Sequence, residues 1–168
     1  MNTQLTNQQS QRVKLCMLTI ITGLALSGIT AFPLQTELGW LVQHSSSLPL
    51  TMQNWLNTIY SAIKATNQNY PYLSYGTDWL AFAHLVLALL FIGPLKDPVK
   101  NIWVIEFGMM ACVLIFPLAF IAGGIRHIPI FWRLIDCSFG IIGIIPLAIA
   151  RRIVKNSSLT INRQYVAL

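Results

Sequence analysis

The stretch GGIRHIPIFWRLIDCSFG, residues 123–140, sets Arg126, His127, Arg133 and Asp136 between two long apolar runs. Whether it is a loop or the start of a helix decides if the chain has three long apolar helices or four. Beyond Asp136, the uncharged run 137–150 is shorter than the roughly 20 residues needed to cross a hydrocarbon layer. A helix that begins at Ile130 covers 130–150 and reaches a normal length. Pro129 then stands at the helix start, where its missing N–H costs nothing. That choice brings Arg133 and Asp136 into the helix, three positions apart and on one face.

The rest of the chain favours four. Apolar runs cover 15–32, 79–95 and 102–123, the last interrupted only by Glu106. Of the 168 residues, 55% are hydrophobic and 10% charged, against about a quarter charged in an ordinary soluble domain. Mean hydropathy is +0.61. The composition therefore predicts an all-α membrane protein: a four-helix transmembrane bundle with a short helical extracytoplasmic loop, one integral membrane domain over 1–168. The lipid bilayer is its first partner. The net charge of +6 does not imply nucleic acid, because the basic residues cluster at the ends of the apolar runs and form no stripe.

Those residues predict direction. Arg12 and Lys14 precede the first span, and Lys96 and Lys100 lie between the second and third. Arg151, Arg152, Lys155 and Arg163 follow the fourth, while Lys64, Arg126 and Arg133 fall on the opposite side. The positive-inside rule then puts both termini in the cytoplasm, with tails 1–14 and 151–168. Trp79 and Trp132 fall at the outer interface and Trp103 at the inner one. The run 15–32 exceeds the roughly 7–15 apolar residues of a signal peptide, so it reads as a retained span.

Within that first span, Thr19, Gly23, Ser27 and Ala31 recur every fourth position. Such a small-residue stripe lets a second helix come close, and predicts packing inside the bundle or, as an alternative, a homo-oligomer seam or contact with another membrane protein. Pro117 and Pro146 each remove an N–H from a span and free the carbonyls of Val113 and Ile142; Gly140 and Gly143 add room in span four. Cys16, Cys112 and Cys137 all lie in apolar runs and read as small buried residues.

The outer loop 33–77 carries only two formal charges, Glu37 and Lys64. Met52, Trp55, Leu56, Ile59, Tyr60 and Ile63 follow helical spacing, with Gln53, Asn54, Asn57, Thr58, Ser61 and Lys64 opposite. Thr51 or Ser47 is the expected cap. Leu34, Leu38, Leu41 and Val42 suggest a second helical piece. In NYPYLSYG, residues 69–76, three tyrosines stand just before span two, at headgroup level.

Six ionisable residues fall in or near the outer leaflet: Asp78, His84, Arg126, His127, Arg133 and Asp136. His84 lies about 9 Å deeper than Asp78 at 1.5 Å per residue. Ionisable groups in a membrane usually face a bundle interior or wet cavity and mark function, so these six are the candidate polar pocket. The plainer expectation is that Arg133 and Asp136 neutralise each other at a helix entrance and that Arg126 and His127 are turn residues. Glu106 is expected to snorkel or to pair with Lys96, Arg151 or Arg152.

No cofactor or metal is expected. Bis-histidine haem needs two rings at similar depth, and His84 and His127 differ in depth. Zinc needs three or four ligands; His84, His127, Asp136 and His44 could supply them only if the loop folded back. No phosphate loop, nucleophile elbow, H-E-x-x-H or C-x-x-C occurs.

The segments YGTDWLAFAH, GPLKDPVKNIWVIEFGMMACV and FWRLIDCSFGIIGIIPLA are similar to those of small integral membrane proteins of bacteria. The resemblance covers spans two to four, about half of the chain, and implies a four-span protein of the bacterial inner membrane. It carries no activity, cofactor or site. The leading functional expectation is a non-enzymatic accessory or scaffold protein. The alternatives are a membrane enzyme or redox-linked protein with a lipid-like or quinone-like ligand in an outer-leaflet pocket, and a transporter component.

Overall fold

The computed structural model describes residues 5–166, with side chains as far as Ser157. Residues 1–4 and 167–168 of the expected tails, and the Arg163 side chain, lie outside the described residues. Among the described residues the chain forms helices and turns and no strand.

Eight α-helices follow in order: α1 Asn7–Ala31, α2 Leu34–Gln43, α3 Leu50–Asn69, α4 Pro71–Leu90, α5 Ile92–Lys96, α6 Ile102–Pro117, α7 Gly123–Ile125 and α8 Ile130–Val166. A 3-10 turn, Ser45–Ser47, precedes α3, and a π-helical turn, Leu118–Ala122, joins α6 to α7. Among the described residues, four stretches are long and apolar enough to cross a membrane: Asn7–Ala31, Pro71–Lys96, Ile102–Ile125 and Ile130–Ser157.

Each of the four long stretches exceeds the apolar run inside it, and local chemistry marks the start of α1 and the break between α3 and α4. The Thr6 N–H donates to Gln9 Oε1 at 3.0 Å, and the Gln9 N–H to Thr6 Oγ1 at 3.3 Å. This reciprocal capping box starts α1 in the polar segment that the sequence reading assigns to a tail. Helix α3 follows Pro49, with no side-chain cap; neither Thr51 nor Ser47 fills that role. It ends because Tyr70 precedes proline, which disfavours helical backbone, and Tyr70 adopts φ −141° and ψ 58°. Pro71 then opens α4 at the position where proline fits best. NYPYLSYG is thus a break and a helix start. The expected loop 33–77 becomes two helices plus the first residues of α4. Residues 151–166, expected as tail, continue α8.

The chain falls into two compact units, Met1–Thr22 with Leu89–Leu168, and Gly23–Ala88. In the first, α6 packs along α8. Val104, Ile105, Cys137, Leu147, Ala150 and Val154 are buried there, together with Val13 and Met17 of α1. Glycines permit the close approach. A Cβ at Gly140 would stand 2.6 Å from the Cys112 carbonyl oxygen, and one at Gly143 would stand 3.1 Å from Cys112 Sγ. In the second unit α2 packs on α3. Leu38 and Leu56 are buried; Met52, Trp55, Ile59, Tyr60 and Ile63 of the expected apolar face of α3 are half-buried, as is Gln53 opposite, while Asn54, Asn57, Thr58, Ser61 and Lys64 are exposed. Here α1 meets α4 at Gly28, whose Cβ would stand 2.8 Å from Ala81 O.

That contact is not made by the small-residue stripe. A Cβ at Gly23 would meet nothing within 4 Å, and Thr19, Gly23 and Ser27 are exposed, with Ala31 partly covered. Large apolar side chains on α1, α4, α6 and α8 are also exposed, among them Leu15 at 67% and Leu89 at 64%. Water disfavours such continuous apolar surfaces, whereas hydrocarbon tolerates them.

Candidate functional site

The stretch that raised the question of three spans or four is a helix C-cap followed by the start of α8. The Ile128 N–H donates to Gly123 O at 2.9 Å and the His127 N–H to Gly124 O at 3.1 Å. These two bonds form a Schellman motif, with His127 at the position that takes left-handed backbone. His127 has φ 56°. A non-glycine residue in that conformation carries a steric cost of about 1–2 kcal/mol. His127→Gly is therefore expected to raise stability by about 0.5–1 kcal/mol and His127→Val to lower it. Thermal unfolding in detergent checks the order; a destabilised glycine variant would contradict this account of the turn.

Arg133 reaches back from α8 into this turn. Its Nε donates to Ile128 O at 2.6 Å. A Cβ at Gly123 would lie 3.2 Å from the Arg133 stem, so the glycine makes room for it. Asp136 is half-buried and makes no hydrogen bond or ion pair among the described residues. The expected Arg133–Asp136 pair is thus not formed: the guanidinium is committed to the turn instead. Arg126 and His127 are exposed beside it. Arg133→Gln should cost about 1–2 kcal/mol through the lost charged hydrogen bond. In a double-mutant cycle with Asp136→Asn, the coupling should stay below about 0.5 kcal/mol. A larger coupling in thermal unfolding would restore the ion pair.

Asp78 and His84 belong to the other unit, and His84 is not part of the cavity that Asp78 lines. His84 is half-buried, and its Nδ1 lies 2.8 Å from Leu80 O, one turn back on its own helix. That bond keeps the proton on Nδ1. Asp78 lines a cavity of about 350 Å³ with Gln35, Thr36, Asn67, Ser74 and Thr77, and with Phe32 and Ile63 among its apolar residues. A hydrogen-bond relay runs along one wall. The Ser74 hydroxyl donates to Asn67 Oδ1, and Asn67 Nδ2 donates to Gln35 Oε1 at 2.6 Å. Among the described residues Asp78 makes no hydrogen bond or ion pair. Sequence reasoning named Asp78 and missed Gln35, Asn67, Ser74 and Thr77. One signal was present: once Pro71 is taken as a helix start, residues 74, 77 and 78 share a helix face.

Glu106 and its partners lie in the first unit. Glu106 Oε1 is 2.8 Å from both Arg151 Nε and Lys155 Nζ. Of the expected partners Arg151 is confirmed, and Lys155 joins it one turn further along α8. The turn between α5 and α6 is closed by Asn101, whose Nδ2 donates to Asp97 O at 2.9 Å and Gly93 O at 3.2 Å. Asp97 lies in that turn, and the Lys100 backbone N–H donated to its carboxylate holds its pKa below the usual range. No three of His, Cys, Asp or Glu converge among the described residues as a metal ion would require.

The four long apolar helices with exposed hydrophobic flanks give the chain the build of a multi-pass membrane protein. Comparison with protein-family models, with curated proteins and with solved structures returned no match.

Proposed function

We propose that the protein is a multi-pass protein of the bacterial cytoplasmic membrane, with both termini cytoplasmic, and that it serves as a non-enzymatic accessory or scaffold protein. One observation carries the reading: the charged side chains of α6 and α8 that have partners are committed to holding the fold. Glu106 joins α6 to α8 through Arg151 and Lys155, and Arg133 closes the turn before α8. What the protein offers is apolar helix surface, including the open small-residue stripe at Thr19, Gly23 and Ser27. In a bilayer, close packing of such small residues drives helix association without any hydrophobic gain.

The positive-inside asymmetry supports the orientation. In a cysteine-free background, a cysteine placed at Ser46 should react with an impermeant reagent from outside the cell, and one at Lys100 only after permeabilisation. The opposite pattern reverses the topology. For the scaffold role, disulfide crosslinking through Ser27→Cys in intact membranes should trap a defined dimer or a stoichiometric heteromer. A chain that stays monomeric in crosslinking and in mild detergent would defeat the proposal.

A further inference from the structure

We propose that the cavity between α1, α2, α3 and α4 is a binding site for a primary ammonium group, with Asp78 as its counter-charge. This goes beyond the scaffold reading and does not depend on it. At about 350 Å³ the cavity falls within the range of small-molecule sites, roughly 300–1,000 Å³. Asp78 is the one ionisable group in its lining. It is half-buried and makes no hydrogen bond or ion pair among the described residues. A carboxylate in that position gains most from a cation that also donates hydrogen bonds.

The neighbouring groups select the kind of cation. An ammonium has three donors and no acceptor. Ser74, Thr77 and Asp78 stand on one face of α4 and line the cavity together, two hydroxyl residues with one carboxylate. The Ser74 proton is already given to Asn67 Oδ1, so its oxygen is left as an acceptor. A calcium ion needs six to eight oxygens, and here Asn67 Oδ1 and Gln35 Oε1 already accept hydrogen bonds from the relay. A quaternary ammonium favours a cage of aromatic rings, and Phe32 is the one aromatic residue in the lining. A primary ammonium fits this set. At the far end of the relay, the Gln35 amide N–H groups make no hydrogen bond among the described residues, which suits a hydroxyl or phosphate oxygen on the same ligand.

That chemistry occurs in the ethanolamine headgroup of a phospholipid and in free amino alcohols. The test uses the full chain in nanodiscs. Ethanolamine, phosphoethanolamine and choline are added in turn to phosphatidylcholine discs, and phosphatidylethanolamine is titrated into the discs separately. Thermal unfolding and calorimetry read the response. A saturable rise in melting temperature is expected with the primary amines and with phosphatidylethanolamine, and choline should bind at least tenfold more weakly. Response to the lipid alone assigns the site to a headgroup; response to the free amine alone assigns it to a soluble amine. Asp78→Asn should weaken binding at least tenfold. Ile63→Trp, which retains the carboxylate and fills the space, should do the same and covers the case in which Asp78→Asn fails to fold. Absence of a saturable response to any primary amine, equal binding of choline, or undiminished binding by a folded variant would overturn the proposal.

Discussion

Replacing Gly140 with leucine is expected to cost the protein about 3 kcal/mol, at the upper end of the usual penalty for overpacking. The first atom of any side chain at this position would lie 2.6 Å from the Cys112 carbonyl oxygen. A backbone oxygen cannot rotate away, so α6 and α8 must separate along the pairing that organises the first unit. Even Gly140→Ala should be costly. Gly143 provides the internal control. There the obstacle is Cys112 Sγ at 3.1 Å, a side chain that can shift, and Gly143→Ala should cost less than about 1 kcal/mol. Thermal unfolding in mild detergent ranks the two alanine variants. Equal melting temperatures would show that α6 and α8 do not approach as closely as Gly140 implies.

Gly28→Leu should be nearly as damaging, about 2–3 kcal/mol, while Gly23→Leu should change stability by less than about 0.5 kcal/mol. At Gly28 a Cβ would meet Ala81 O at 2.8 Å and the Leu85 side chain at 2.9 Å. At Gly23 it would meet open space. The experiment compares yield and melting temperature of the two leucine variants in monomeric detergent preparations. Similar losses would mean that the face at Gly23 packs as tightly as the face at Gly28. The contrast also separates fold from association. If Gly23→Leu leaves the monomer intact yet removes the crosslinked species formed through Ser27, the open stripe serves a partner and not the chain's own packing.

These glycines mark where sequence reading worked and where it went astray. The stripe at Thr19, Gly23, Ser27 and Ala31 was legible as a periodic pattern. Gly28 lies one residue beyond Ser27, about 100° round the helix, and carries no periodic partner that would make it stand out. Periodicity identifies a smooth face; it does not say whether a neighbouring helix lies against that face or the adjoining one. The same limit applied to charge. Arg133 and Asp136 have the spacing of an intrahelical pair, yet the nearest acceptor for the guanidinium is the Ile128 carbonyl, exposed because the preceding helix ends in left-handed backbone at His127.

The candidate cavity was legible only through Asp78. Gln35 is remote in the chain from Asn67 and Ser74, which stand on either side of the break at Tyr70, and each is an unremarkable polar residue in its own helix. Their relay exists because α2 and α3 fold back beside the start of α4. Pro33 and Pro71 control those reversals through local backbone rules, but which side chains then meet depends on how the helices pack.

Composition and local pattern by themselves determined the helical class, the four long apolar segments and the positions of most breaks. Hydrophobic length, proline sterics and charge at the ends of apolar runs act within one turn or one span. Tertiary structure decided which glycines are crowded, which partner each charge takes and which polar groups enclose a cavity. Each of these depends on approaches of a few ångströms between residues remote in the chain, and no spacing along a single helix encodes them.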